Sequence, residues 1–114
     1  MLNFLKQLPS VKEEEKQKLS EKLEKVVKIK NKMGLHVRPA SYIAKLLQDS
    51  QSKVTLTYKG ESVNARSIMS IMILAAPKNS QVHISVEGSD AGVTMKRLIG
   101  AFENQFGEKG LETV

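Results

Sequence analysis

The stretch Gly34-Leu35-His36-Val37-Arg38-Pro39-Ala40-Ser41 brings a nucleophile, a cation and a helix start together. His36 offers an imidazole, a good nucleophile near neutral pH because its unperturbed pKa is about 6.5. Arg38 offers a planar guanidinium fork that matches phosphate oxygens. Pro39 suits the first turn of a helix, where its missing N–H would have had no partner. That geometry sets His36 beside free backbone N–H groups and the positive end of a helix dipole, which together bind anions such as phosphate. The helix end would stabilise an added phosphoryl dianion and oppose imidazolium formation. A phosphohistidine is reactive enough to pass its group onward, which suits a carrier rather than a hydrolase. The plainer alternative is a histidine that caps a helix or is merely exposed. Arg38 carries one tension: a residue before proline is biased away from helical angles, so an irregular first turn is expected.

The elements that must position these groups follow from periodicity. Ser10 to about Lys25 reads as a charged helix, with Ser10 and Glu13 in a capping-box pattern after Pro9. Leu19, Leu23 and Val26 give it one thin apolar stripe, so it buries little. Val26 to Lys30 alternates like a strand, and Asn31 to Gly34 makes a loop. Ala40, Ile43, Ala44 and Leu47 mark one face of an amphipathic helix. Val54, Leu56 and Tyr58 alternate with threonines; Lys59-Gly60 turns the chain, and Ser62 to Ala65 returns as a second strand. A short helix rich in Ile and Met spans Ser67 to Ala75. Val82, Ile84 and Val86 alternate with His83, Ser85 and Glu87 in a half-buried strand, which leaves His83 an ordinary surface histidine. Asp90 is placed to cap a last helix whose Met95, Leu98, Ile99, Phe102 and Phe106 face the core. The order predicts an α+β open-faced β-sandwich, βαββαβα. A four-stranded antiparallel sheet is covered on one face by three helices, with an extra N-terminal helix. The division expected is a charged extension over 1–25 and a domain over 26–114.

Bulk composition narrows the function classes. The chain has 114 residues, 40 % of them apolar and 26 % charged, as in ordinary globular domains. It has no cysteine and only two histidines, which argues against disulfides and a structural metal site and for an intracellular, cytoplasmic home. No apolar run approaches the ~18 residues of a membrane span, and the N-terminus lacks a secretory pattern. The net charge of +6 suggests nucleic acid at first. However, Lys6, Lys12, Lys16, Lys18, Lys22, Lys25, Lys28, Lys30 and Lys32 all lie in the first third, and charges nearly balance from Gly34 onward.

The stretch from Gly34 to Ser41 closely resembles the active-site motif of HPr, the histidine-containing carrier of the bacterial phosphoenolpyruvate-dependent phosphotransferase system. Asn64-Ala65-Arg66-Ser67-Ile68-Met69-Ser70-Ile71-Met72 resembles a second motif of that family. The resemblance covers roughly 26–106. It implies that His36 is phosphorylated on Nδ1, as a pros-phosphohistidine, that Arg38 binds the phosphate, and that Pro39 shapes the helix behind Gly34. Ser67 is similar to the serine that an ATP-dependent HPr kinase/phosphorylase modifies in part of the family; its simpler reading is a helix N-cap. Ile68, Met69 and Met72 match the family's partner-docking patch, although a helix so apolar could also lie wholly in the core. The resemblance implies Enzyme I as donor, IIA-type proteins as acceptors, a stoichiometric carrier rather than an enzyme, and an output in sugar transport or signalling. A monomer is expected, without cofactor, metal, nucleic acid or membrane insertion.

Met33 stands where the family usually has Asn or Ser, Val37 where a smaller residue is common, and Ser70, Ala75 and Asn79 where glycines are common. Met33 cannot supply a hydrogen bond near the histidine, and with Val37 it bears on partner choice. Three other readings compete. One is a regulatory HPr-like protein with mainly signalling partners. Another is a non-catalytic scaffold using the Met patch. The third is a small nucleic-acid-binding α+β domain, which lacks the sheet-face aromatics needed for base stacking.

Overall fold

The computed structural model describes residues 20–108. Strand β1 (Glu21–Lys28) leads to helix α1 (Val37–Leu46), then to strands β2 (Lys53–Tyr58) and β3 (Glu61–Asn64). Helix α2 (Ile68–Leu74), strand β4 (Gln81–Gly88) and helix α3 (Ala91–Glu103) follow. The strands form one antiparallel sheet in the order β1-β4-β2-β3. The expected architecture is therefore the one observed among the described residues.

Side-chain alternation explains the layers. In β4, Val82, Ile84 and Val86 have no exposed surface, and they lie opposite Val27 and Leu23 of β1 and Leu56 and Val54 of β2. Against that face pack Ala40 and Ile43 of α1, Ile71 and Leu74 of α2, and Met95, Leu98, Ala101 and Phe102 of α3. Each large apolar side chain removed from water in this way contributes about 1.5–3 kcal/mol. The other sheet face is polar, and there His83 Nε2 lies 3.1 Å from Glu24 on β1. The β2–β3 hairpin turns at Lys59 and Gly60, both at positive φ (50° and 78°), the mirror-image turn that matches strand twist.

Three expectations need correction. The charged helix expected from Ser10 to about Lys25 lies outside the described residues up to 19, and its last part is strand: Glu21 to Lys25 open β1. Leu23, read as part of a helical stripe with Val26, instead pairs opposite Val86, and the charges alternating around it suit an edge strand. The boundary expected between 25 and 26 thus falls inside β1. Asp90 occupies the N-cap position of α3 but makes no capping bond from its side chain. Its carboxylate accepts instead from Ser50 Oγ, Ser52 Oγ and the Gln51 N–H of the loop before β2. Phe106 is buried as expected, but in a left-handed turn beyond α3 rather than on the helix.

Candidate functional site

The site begins with the loop that leaves β1. Gly34 has φ +69°, and a Cβ there would lie 2.4 Å from the Ala76 carbonyl oxygen and 2.9 Å from Pro77 Cα. Only glycine meets both demands, the left-handed backbone and the close approach. The Leu35 N–H donates to that same Ala76 carbonyl at 2.9 Å, and the buried Leu35 side chain anchors the loop. The loop delivers His36 in extended conformation to the N-cap of α1, its carbonyl accepting the Ala40 N–H at 3.0 Å. With that bond closed, the first turn is helical from Val37, including Arg38, and the expected irregularity is not found.

No side chain caps this helix and no acidic residue lies in its first turn. The Val37 and Arg38 N–H groups have no acceptor within the helix by position, and Pro39, buried behind them, has none to place. The end of α1 therefore keeps its positive potential next to the imidazole. Arg38 is largely exposed and free to turn toward an anion held there; its Nη1 stands 4.0 Å from Glu108 Oε2.

The imidazole makes its own contact with Glu108. Nε2 lies 3.0 Å from Oε2 and 3.2 Å from Oε1. Nδ1 has no hydrogen-bond partner among the described residues, and the side chain keeps 30 % of its surface exposed. The Glu108 side chain is 8 % exposed. Behind it Asn31, wholly buried, donates from Nδ2 to Glu108 Oε1 at 3.0 Å and to the Gly34 carbonyl at 2.7 Å.

Glu108 reaches His36 through an unusual turn. Gln105, Phe106 and Gly107 follow one another at φ 58°, 55° and 78°. A left-handed conformation costs a non-glycine residue about 1–2 kcal/mol. Burial of Phe106 offsets this: its ring meets Phe102 edge-on at 4.8 Å and Tyr42 of α1 at 6.1 Å. The aromatic contact pins the chain after α3 against α1, and the next turn carries Glu108 to the start of that helix.

The second motif forms a neighbouring surface. Ser67 is the N-cap of α2, and its Oγ accepts the Ser70 N–H at 3.2 Å. Within α2, Ile71 and Leu74 fill the core, while Ile68, Met69, Met72 and Ile73 are exposed. The all-core alternative for this helix is thereby ruled out. Val37 and Met33 are exposed as well, so both departures from the family pattern enlarge the apolar surface near His36. Ala75 and Asn79 adopt positive φ (49° and 74°), where glycine would be least strained, whereas Ser70 is simply helical. Arg66 reaches away from the site and donates to the carbonyls of Leu47, Ser50 and Ser52.

The sequence thus led to His36, Arg38, Pro39, Gly34 and the α2 surface, and it missed Asn31 and Glu108. Asn31 reads as a loop residue, and Glu108 lies beyond the stretch that resembles the known motifs. Only the Phe106-Gly107 pair hints that the chain turns there. Among the described residues no group of three or more His, Asp or Glu could hold a metal ion, and no helix is long and apolar enough to cross a membrane.

An open-faced α+β sandwich whose first helix begins directly after a partly exposed histidine, with an arginine in its first turn, defines a small domain of the phosphocarrier type. Residues 23–104 match the family described as the HPr component phosphorylation site of the phosphotransferase system. Phosphocarrier protein HPr of Chlamydia trachomatis serovar D is 44 % identical over 86 residues, 75 % of this chain and 79 % of that protein. HPr of Xylella fastidiosa strain Temecula1 is 38 % identical over 75 % of this chain and 97 % of its own. A crystal structure of HPr-C-His from Thermoanaerobacter tengcongensis superposes with a TM-score of 0.72 at 37 % identity, covering 75 % of this chain and 97 % of that one. The chain belongs to the HPr family, phosphocarrier proteins of the phosphotransferase system.

Proposed function

We propose that this chain accepts a phosphoryl group from phospho-Enzyme I on His36 Nδ1 and transfers it to IIA-type acceptors, as a stoichiometric carrier rather than a turnover enzyme. The observation that carries this reading is the setting of the imidazole. It stands at the start of α1, whose first turn has no side-chain cap and no acidic residue of its own, with Nε2 engaged by Glu108 and Nδ1 uncommitted. The first-turn amides and Arg38 would hold the phosphoryl oxygens, since both offer donors where negative charge accumulates. Gly34 and Pro39 shape the loop and turn that hold them. Ile68, Met69 and Met72 would dock partners beside the site, because flexible methionines adapt to several surfaces.

Incubation with Enzyme I and labelled phosphoenolpyruvate is expected to give acid-labile, base-stable label. His36→Ala is expected to abolish it and His83→Ala to leave it intact; label surviving in His36→Ala would sink the assignment.

Ser67 supports a regulatory extension of this reading. Its Oγ is part-exposed and uses only an acceptor site on the Ser70 N–H. A phosphate there would add about −1.5 to −2 charge beside the apolar patch and weaken docking. With an HPr kinase/phosphorylase and ATP, a mass gain of one phosphate is expected in wild type and none in Ser67→Ala.

A further inference from the structure

We propose that Asn31 and Glu108 are positioning residues for the transfer. Glu108, clamped by Asn31, holds the His36 ring in the tautomer with its hydrogen on Nε2, and so leaves the Nδ1 lone pair free. The first part stands on geometry alone; its consequence for transfer rests on the carrier reading above.

The hydrogen positions follow from what each group can do. Asn31 places one side-chain atom between the Gly34 carbonyl at 2.7 Å and Glu108 Oε1 at 3.0 Å. Both neighbours are acceptors, so that atom is the amide nitrogen and both of its hydrogens are spent. The Asn31 oxygen is buried without a partner among the described residues. Such an orphan costs stability, so the residue is poorly explained as packing and well explained as a fixed donor to the carboxylate. An ionised carboxylate only accepts. Glu108, fixed on one side, therefore takes a hydrogen from His36 Nε2, which lies within 3.0–3.2 Å of both of its oxygens. The ring cannot turn to offer Nδ1 without breaking that contact.

The same contact serves the chemistry. As the Nδ1 lone pair attacks phosphorus, the N–P bond forms and the donor's bond to phosphorus breaks, its electron pair leaving with the donor. The ring becomes a phosphoimidazolium that still carries Nε2–H, and Glu108 supplies the countercharge without moving a proton. On release the N–P bond breaks, its electron pair returns to Nδ1, and the neutral Nε2–H ring is restored. The imidazolium form is the better leaving group, so a carboxylate at Nε2 keeps the phosphoryl group transferable.

Glu108→Gln tests the proposal sharply. Asn31 would hold the new amide by its oxygen and turn its nitrogen toward His36 Nε2, which must then accept, sending the ring hydrogen to Nδ1. With 15N-labelled histidine, at a pH where the ring is neutral, wild type is expected to show an unprotonated Nδ1 and a protonated Nε2. Glu108→Gln is expected to shift toward the reverse, and phosphoryl acceptance from Enzyme I to slow by about ten-fold or more, as when a group that sets a histidine's tautomer is altered. Asn31→Leu, of similar volume, is expected to give a mixed tautomer and a smaller slowing. Variants that lower Tm while keeping the wild-type nitrogen signature and rate would overturn the proposal, leaving both residues merely structural. Wild type that shows the ordered tautomer yet takes no phosphoryl group would uphold the clamp and overturn the carrier reading.

Discussion

Around Asp90 and around Glu108 a carboxylate gathers its neighbours into a hydrogen-bonded cluster, but the two clusters differ in what they leave unused. At Asp90, Ser50 Oγ donates to the carboxylate and accepts from Thr94 Oγ1 at 2.7 Å and from the Ser52 N–H at 3.1 Å. Arg66, from the neighbouring motif, satisfies three carbonyls of the same segment. Each donor named there has an acceptor within the cluster, and the result is a locked corner joining α1, β2 and α3. At Glu108 the network stops short. Nδ1 of His36 remains open, and the exposed Arg38 fork touches Glu108 only at 4.0 Å, next to helix amides with no internal acceptor. A saturated cluster holds shape, whereas an unsaturated one can bind something else.

Four substitutions test that contrast, the largest effect first. Arg66→Ala strands three backbone carbonyls and is expected to cost about 2–4 kcal/mol in urea unfolding, while phosphoryl labelling survives below the melting range. Arg38→Ala is expected to do the opposite: labelling slows about ten- to a hundred-fold, with unfolding stability within about 0.5 kcal/mol of wild type. If Arg38→Ala destabilised the fold as much as Arg66→Ala, the division into locked and open clusters would fail. Met69→Ser, on a side chain that is 75 % exposed, is expected to raise KM for Enzyme I several-fold, equivalent to about 1 kcal/mol, without altering stability or the maximal rate. Equal KM values would remove Met69 from the proposed docking patch.

The smallest effect belongs to Asp90 and appears only in acid. Hydrogen bonds from Ser52 and the Gln51 N–H, with that of Ser50, hold its pKa below the ordinary carboxylate value despite partial burial. A carboxyl more acidic in the folded than in the unfolded chain contributes stability that is complete above about pH 4, its unfolded range, and is lost as pH falls toward the folded value. Urea unfolding from pH 7 to pH 3 is expected to show this decline in wild type and a shallower one in Asp90→Asn. Parallel curves would mean that Asp90 does not titrate in this window.

The sheet and its helices were legible because their signals are local. Alternation in 82–87 and helical spacing from Ala40 to Leu47 each reflect one face turned to one core. Two failures came from reading local patterns where a distant partner decides. Glu21 to Lys25 carries helix-forming charges, yet β4 supplies the hydrogen-bond partners that make it strand. Asp90 has the type and place of a cap, yet the hydroxyls of Ser50 and Ser52 claim it. The candidate site divides in the same way. His36, Arg38 and Pro39 are neighbours in sequence and could be read together. Asn31 and Glu108 meet only in the fold, and no periodicity marks a buried acid whose partner is so distant.

That distance has a consequence for how the protein comes into being. Asn31 and Glu108 are 77 positions apart, and translation delivers the loop holding His36 long before the acid that steadies its ring. A nascent chain therefore displays the histidine first as a bare side chain, and its environment is finished only when nearly the whole domain has left the ribosome.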